Sequence, residues 1–296
     1  MGRHLHIDPF AGIAGDMFLG ACIDLGADLQ AIDQALAPLP LTRPYRLTVQ
    51  ETQRHAIRGI DVKVIVGEDR SPGPADTRAG EASHSHDHHH AHGHHHDHDH
   101  SHEHDHGRDA IGQAHLHPEH CGYRQIMALI DSLATSERGR ARARAIFTRI
   151  GEAEAHVHGV GLDVVHFHEV GAVDSIVDIL GSAVALELLD VETVTSAPLP
   201  IGQGFVQCAH GNMPLPAPAT AQILRHVPHH GVEREGETVT PTGAAIIAAL
   251  ATGFGPMPAM RVDQIGYGAG DRDTPDVPNL LRLFLGQRLE PEAAPA

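Results

Sequence analysis

The chain has 296 residues, 41% of them hydrophobic but only 3% aromatic and none tryptophan, so its core must rest on Ala, Leu, Ile and Val. Thirty-eight acidic against 21 basic residues leave a formal charge of −17 with His neutral, which argues against a nucleic-acid partner, since that needs a clustered basic footprint. Cys22, Cys121 and Cys208 form no CxxC pair, the N-terminus has no signal pattern, and no run approaches the roughly 18 apolar residues of a membrane span, so a cytoplasmic chain without a membrane partner is expected.

Residues 1–66 read as an N-terminal α/β part. Leu5-His6-Ile7 is a short strand, and Pro9 to Gly15 a glycine loop. Asp16 to Leu25 is a helix, and Asp28 caps a second one running to about Leu36. Tyr45 to Val49 and Ile60 to Val66 carry the alternating or β-branched patterns of strands. Residues 67–120 become His/Asp low-complexity sequence that buries too little apolar surface to offset its ordering entropy, so a disordered loop is expected. Residues 121–289 form an α/β body. Ile126, Leu129, Ile130 and Leu133 have helical spacing, and a second helix capped near Ser136 runs to about Val157. Val165 to Glu169 reads as a strand, Asp174 to Leu189 as a helix and Val191 to Ala197 as a strand. Ala217 to His226 and Thr242 to Leu250 are helical, while Val262 to Tyr267 and Leu280 to Leu285 close as strands. Residues 290–296 are a fraying tail. The expected fold class is α/β, with mixed sheet layers and packed helices interrupted by the His-rich loop.

That loop holds His84, His86, His88, His89, His90, His92, His94, His95, His96, His98, His100, His102, His104 and His106, interleaved with Asp87, Asp97, Asp99, Glu103 and Asp105. Neutral imidazole suits nickel, copper and zinc. Without a fixed spacing, these residues read as a labile metal collector; a solvated linker is the plainer alternative.

Three further segments carry candidate chemistry. In Asp8-Pro9-Phe10-Ala11-Gly12-Ile13-Ala14-Gly15-Asp16 the glycines let backbone N–H groups converge at a helix start, as an anion seat requires. Asp8 and Asp16 flank it and could hold a divalent ion, but the loop fits neither the P-loop nor GxGxxG; a tight strand-to-helix turn is the plain reading. On the strand reading, His166 and His168 point to one face beside Glu169, and Asp174 and Asp178 stack at i, i+4 on the next helix. His166 and His168 are candidate metal ligands, and the five residues together are candidate catalytic groups. Thr240-Pro241-Thr242-Gly243 opens a helix, so Thr242 and Gly243 join Asp8, Gly12, Gly15 and Asp16 as candidates for binding a cofactor. Leu199 to Gly204, Cys208-Ala209-His210-Gly211 and Gly266 to Asp273 read as glycine-rich turns around a polar cleft.

Taken together, Asp8 to Met17, the internal His-rich loop, His166 to Asp178, Ala209 to Thr220, Thr240 to Ala244 and Gly266 to Gly270 resemble the LarC family, in that family's order across nearly the whole chain. The resemblance implies a chelatase of the lyase class. It would insert nickel(II) into pyridinium-3,5-bisthiocarboxylic acid mononucleotide to form a nickel-pincer cofactor. The implied dependence is on CTP with manganese or magnesium; a homo-oligomer is expected. In this reading His166, His168 and Glu169 deliver nickel, Asp174 or Asp178 supports them or takes a proton, and the Gly12 to Asp16 loop seats the phosphate. Longer family members carry CTP on a C-terminal domain not evident here, so a separate CTP-binding subunit is an expected partner. The alternatives are a non-enzymatic nickel store or metallochaperone, and a metallohydrolase using His166, His168 and Asp174.

Overall fold

The computed structural model describes residues 2–41, 43–67, 121–167, 170–272 and 274–289. The expected His-rich loop therefore lies outside the described residues, apart from Gly67, as do the tail from 290, His168 and Glu169.

In chain order the elements are β1 (Arg3–Asp8), α1 (Gly15–Asp24), α2 (Leu29–Leu36), β2 (Tyr45–Arg54) and β3 (Ile57–Val66). After the histidine segment come β4 (Cys121–Gly122), α3 (Tyr123–Asp131), α4 (Glu137–His158), β5 (His166–Phe167), α5 (Val173–Leu188) and β6 (Val191–Ser196). Then follow β7 (Leu199–Gln203), β8 (Phe205–Cys208), β9 (Gly211–Pro214), α6 (Pro218–Ile223), β10 (His229–Glu235), α7 (Pro241–Leu250), β11 (Gly253–Phe254), β12 (Met260–Ala269) and β13 (Leu280–Arg288). The α/β class holds. A seven-stranded mixed sheet runs in the order β11-β6-β1-β13-β12-β3-β2, with β1 parallel to β6 and antiparallel to β13. Three two-stranded sheets, β10-β7, β4-β5 and β8-β9, accompany it.

Position in the sheet explains the composition of β1. It is an inner strand covered on both faces, so His4, Leu5, His6 and Ile7 are all buried. Its histidines are satisfied by threonines of β6: His4 Nδ1 lies 2.7 Å from Thr193 Oγ1 and Nε2 3.0 Å from Thr195 Oγ1, while His6 Nδ1 is 2.9 Å from Thr195 Oγ1. Burial, helped by Arg288 and His6, pushes His4 down to about 4, so it is neutral at physiological pH.

Helices α1, α5 and α4 build outward from the sheet. α1 packs on β12 and β3, α5 on α1, and α4 on α7, α6 and α5. Ala143, Ile146, Phe147 and Ile150 give α4 its buried stripe, while Arg138, Arg140 and Arg144 pair with acids on its outer side. Ser136 caps its start, and Gly159 ends it in the left-handed region. Among the described residues no helix is long and apolar enough to cross a membrane.

Several sequence expectations need correction. Gly266 to Ala269 belongs to β12 rather than to a flexible turn. A Cβ on Gly268 would stand 1.7 Å from the Met17 carbonyl oxygen, so the glycine marks where α1 presses on the sheet. Leu199 to Gln203 is also a strand; in a two-stranded pair Pro200 costs no interior ladder bond. Of the expected strand from Val165 to Glu169, His166 and Phe167 pair with Gly122 and Cys121, Val165 precedes the pairing, and His168 and Glu169 lie outside the described residues. The helix expected over Ala217 to His226 is shorter, ending at Ile223.

Candidate active site

The starts of α1, α5 and α7 converge on one cleft of about 340 Å³. Its walls include Ala14, Gly15 and Asp16 from α1, Ser175 and Asp178 from α5, and Thr240, Pro241 and Thr242 from α7. Residues from the early turns of these three helices border one space, and helix N-termini favour anions nearby.

Backbone contacts fix this convergence. Ile13 N–H donates to Thr238 O at 2.9 Å, and Thr240 N–H donates to Ile13 O at 3.1 Å, so the glycine loop is bridged to the chain entering α7. Gly12 has φ +122°, and a Cβ there would lie 1.9 Å from Thr238 O; only glycine permits the approach. Gly15 N–H donates to Thr242 Oγ1 at 3.2 Å, and Thr242 Oγ1 is 2.9 Å from Thr240 Oγ1, which also accepts from Gly243 N–H at 3.2 Å. Gly12, Gly15, Asp16, Thr242 and Gly243 are thus brought together. Asp8 is not among the residues lining the cleft: its Oδ2 accepts from Arg282 Nε at 3.0 Å and Nη2 at 2.5 Å, across the β1–β13 pair.

Two carboxylates define the electrostatics. Asp178 Oδ1 is sealed from solvent and has no hydrogen-bond partner among the described residues. Burial pushes the Asp178 carboxyl well above the usual range; Asp16 and Asp174 add to the rise and Lys63 opposes it. Asp16 is also raised, chiefly by burial, with Met17 N–H and Lys63 pulling down and Asp271 and Asp61 pushing up. Asp16 Oδ1 accepts from Met17 N–H at 2.8 Å.

Lys63 ties the acids together. Its Nζ pairs with Asp271, stands 2.7 Å from Asp61 Oδ1 and lies 3.8 Å from Asp16 Oδ2. Burial alone would lower Lys63, but the bonds to Asp271 and Asp61 outweigh it and hold the ammonium charged. Asp271 falls in the Gly266 to Asp273 stretch read from the sequence as bordering a polar cleft, whereas sequence reasoning missed Lys63 and Asp61. The available signal was a Lys and an Asp inside the otherwise apolar strand Ile60 to Val66. Arg234 and Arg272 form a basic rim: Arg234 Nη1 donates to Ala11 O at 3.1 Å, and Arg272 Nη1 donates to Glu237 O at 2.6 Å.

The remaining predicted residues sit elsewhere or outside the description. Asp174 is exposed in the first turn of α5, with its Oδ1 accepting from Ser175 N–H at 2.9 Å. His166 is exposed on β5 and does not line the cleft. His168, Glu169 and the fourteen histidines from His84 to His106 lie outside the described residues. Chemically, the cleft joins an anion seat to a carboxylate pair of raised proton affinity, and so can hold a phosphorylated ligand beside a base or a cation.

The family described as nickel insertion protein matches residues 5–295. A protein of Geobacter metallireducens is 45% identical over 96% of this chain and 60% of its own length. One of Pelobacter propionicus is 44% identical over 97% and 61%, and one of Dictyoglomus thermophilum 40% identical over 97% and 62%. Each bears the description "Putative nickel insertion protein". The chain therefore spans about three fifths of the length of these curated relatives. No solved structure matches it.

Proposed function

The chain belongs to the nickel insertion protein family, and from that membership we propose that it inserts nickel(II) into pyridinium-3,5-bisthiocarboxylic acid mononucleotide, acting as a cytoplasmic metal chelatase. The observation that carries the reading is Asp178, whose Oδ1 is sealed and has no hydrogen-bond partner among the described residues, in the cleft that Asp16 also lines.

The chemistry divides between the two features. The helix starts of α1 and α7, with Arg234 and Arg272, seat the phosphate of the mononucleotide. Asp16 offers oxygen donors to arriving nickel. Oxygen binds this borderline ion less firmly than sulfur does, so the thio-acid groups of the ligand can take it over. As nickel bonds to the ring carbon, the C–H electron pair becomes the carbon–metal bond and the proton passes to Asp178. Its raised proton affinity makes it a stronger base than an ordinary carboxylate. Lys63 stays charged and offsets part of the rise that burial causes at Asp16. We assign the CTP step, with its manganese or magnesium, to a separate C-terminal domain or subunit, because the loop from Asp8 to Asp16 has no Lys-Ser/Thr pair for a triphosphate. His166, His168, Glu169 and the histidines from His84 to His106 serve delivery in this scheme.

The test uses the full chain, complemented by its CTP-binding partner. Asp178→Asn should bind the apo-ligand within about threefold of wild type, yet lose at least about 100-fold in insertion rate, as expected for a removed base. Insertion is read by absorbance of the metallated product. Unchanged insertion in Asp178→Asn overturns the assignment. Stoichiometric nickel uptake with no product in the wild type would favour a store or metallochaperone.

A further inference from the structure

The connection from β12 to β13 brings Gly270, Asp271, Arg272, Thr274 and Asn279 to the main cleft. From Asp271 to Asn279 none of the described residues is buried. Apolar packing therefore does not hold Asp271 and Arg272 at the cleft, and their placement depends on polar ties. Asp271 pairs with Lys63, and the Arg272 guanidinium donates to Glu235 O and Glu237 O. These ties start from the side chains and leave the backbone of the segment to other groups.

The tip of the β2–β3 hairpin supplies two of them. Arg54 donates to Gly270 O through Nε at 3.1 Å and Nη2 at 2.8 Å, while its Nη1 donates to Thr52 Oγ1 at 3.0 Å and Gln53 O at 3.2 Å. Its own strand thus orients the guanidinium that forks onto Gly270. His55 Nε2 stands 2.7 Å from Thr274 O. A carbonyl only accepts, so Nε2 carries the proton. Gly270 and Thr274 bracket Asp271 and Arg272, so the hairpin tip holds this segment at both ends.

The tip is strained. Only His55 and Ala56 join Arg54 to its partner Ile57, and both are left-handed, with φ 49° and 62°. A two-residue turn of this kind favours Asn-Gly or Gly-Gly, because glycine enters that region freely. Turning the chain does not call for an imidazole; the bond to Thr274 O does.

We propose that Arg54 and His55 are positioning residues for the cleft: they fix the segment that presents Arg272 at its basic rim and Asp271 to Lys63. That the rim receives a phosphate rests on the function proposed above; the fixing of the segment does not.

The test pairs two replacements of one residue. His55→Gly removes the bond and the left-handed strain together, so its thermal midpoint should stay within about 2 °C of wild type. His55→Gln keeps the strain and offers an amide N–H in place of the ring N–H. In the full chain with its CTP-binding partner, His55→Gly should raise KM for the apo-ligand about three- to tenfold, with kcat within about twofold, as lost binding rather than lost chemistry requires. Arg54→Met should act in the same direction, and His55→Gln should return KM to within about twofold of wild type. Amide hydrogen exchange over residues 270–279 should quicken roughly tenfold in His55→Gly and Arg54→Met but not in His55→Gln. A tip that served stability alone would leave KM and exchange unmoved in a variant of unchanged midpoint. That result overturns the proposal, as does a His55→Gln that behaves like His55→Gly. Asp178-dependent insertion with unchanged exchange in His55→Gly keeps the function and removes the positioning role; quickened exchange in a protein whose insertion ignores Asp178 does the reverse.

Discussion

Asp178 holds the sharpest conflict between stability and use. A carboxylate with one oxygen out of water and unsatisfied among the described residues costs the native state on the order of 1–3 kcal/mol when ionised. Its folded pKa is raised, so the native state holds the proton to higher pH than the unfolded chain does. The linked stabilisation is present at low pH and is lost as pH rises from the ordinary carboxylate range through the raised value. Asp178→Asn keeps the shape and removes the charge. At pH 8 it should therefore be more stable than wild type by about 1–3 kcal/mol in urea unfolding, with the gap closing toward pH 5. A variant less stable than wild type at pH 8 would mean that the carboxylate has a native cation partner. Both Asp16 and Asp178 were legible in the sequence as acids on suitable elements. Their shared cleft was not, since Lys63, Asp61 and Asp271 are joined to them only by long-range folding.

Elements with strong local signals were readable, because one periodicity and one cap decide each of them. The helix α2 begins after Asp28, whose side chain accepts from Gln30 N–H as its cap, and α4 runs between Ser136 and Gly159. The small sheets were not readable. β10 is half-exposed and polar, and its partner β7 lies in a stretch marked by glycine and proline, so the pairing shows only in three dimensions. The glycines of β12 are the informative failure, since they looked like a loop and instead serve contact with α1. A Cβ at position 268 would meet the backbone of Met17, which cannot move without α1. Gly268→Ala should cost at least about 3 kcal/mol, at the upper end of overpacking. Because α1 carries Asp16, the variant should also weaken binding of the phosphorylated ligand. Gly161→Ala, where nothing lies within 4 Å of the added Cβ, is the control and should stay within about 0.5 kcal/mol. Equal effects in thermal unfolding would remove the close-packing account of β12.

At the scale of the whole molecule, a formal charge of −17 acts on the two proposed substrates in opposite ways. It draws nickel(II) toward the surface and repels a phosphorylated, thio-acid ligand. Capture of that ligand then depends on local groups, namely the starts of α1, α5 and α7 and the rim of Arg234 and Arg272. Local attraction works over contact distances, whereas the net field reaches only about a Debye length, roughly 10 Å at 0.1 M salt. Raising ionic strength from about 0.02 to 0.3 M should therefore slow nickel association several-fold while leaving ligand association unchanged or faster. Stopped-flow mixing with each substrate separately measures both rates. If the two rates fell together, the anion would be steered by a wider basic surface than these residues provide, and the division between global attraction for the ion and local recognition for the ligand would fail.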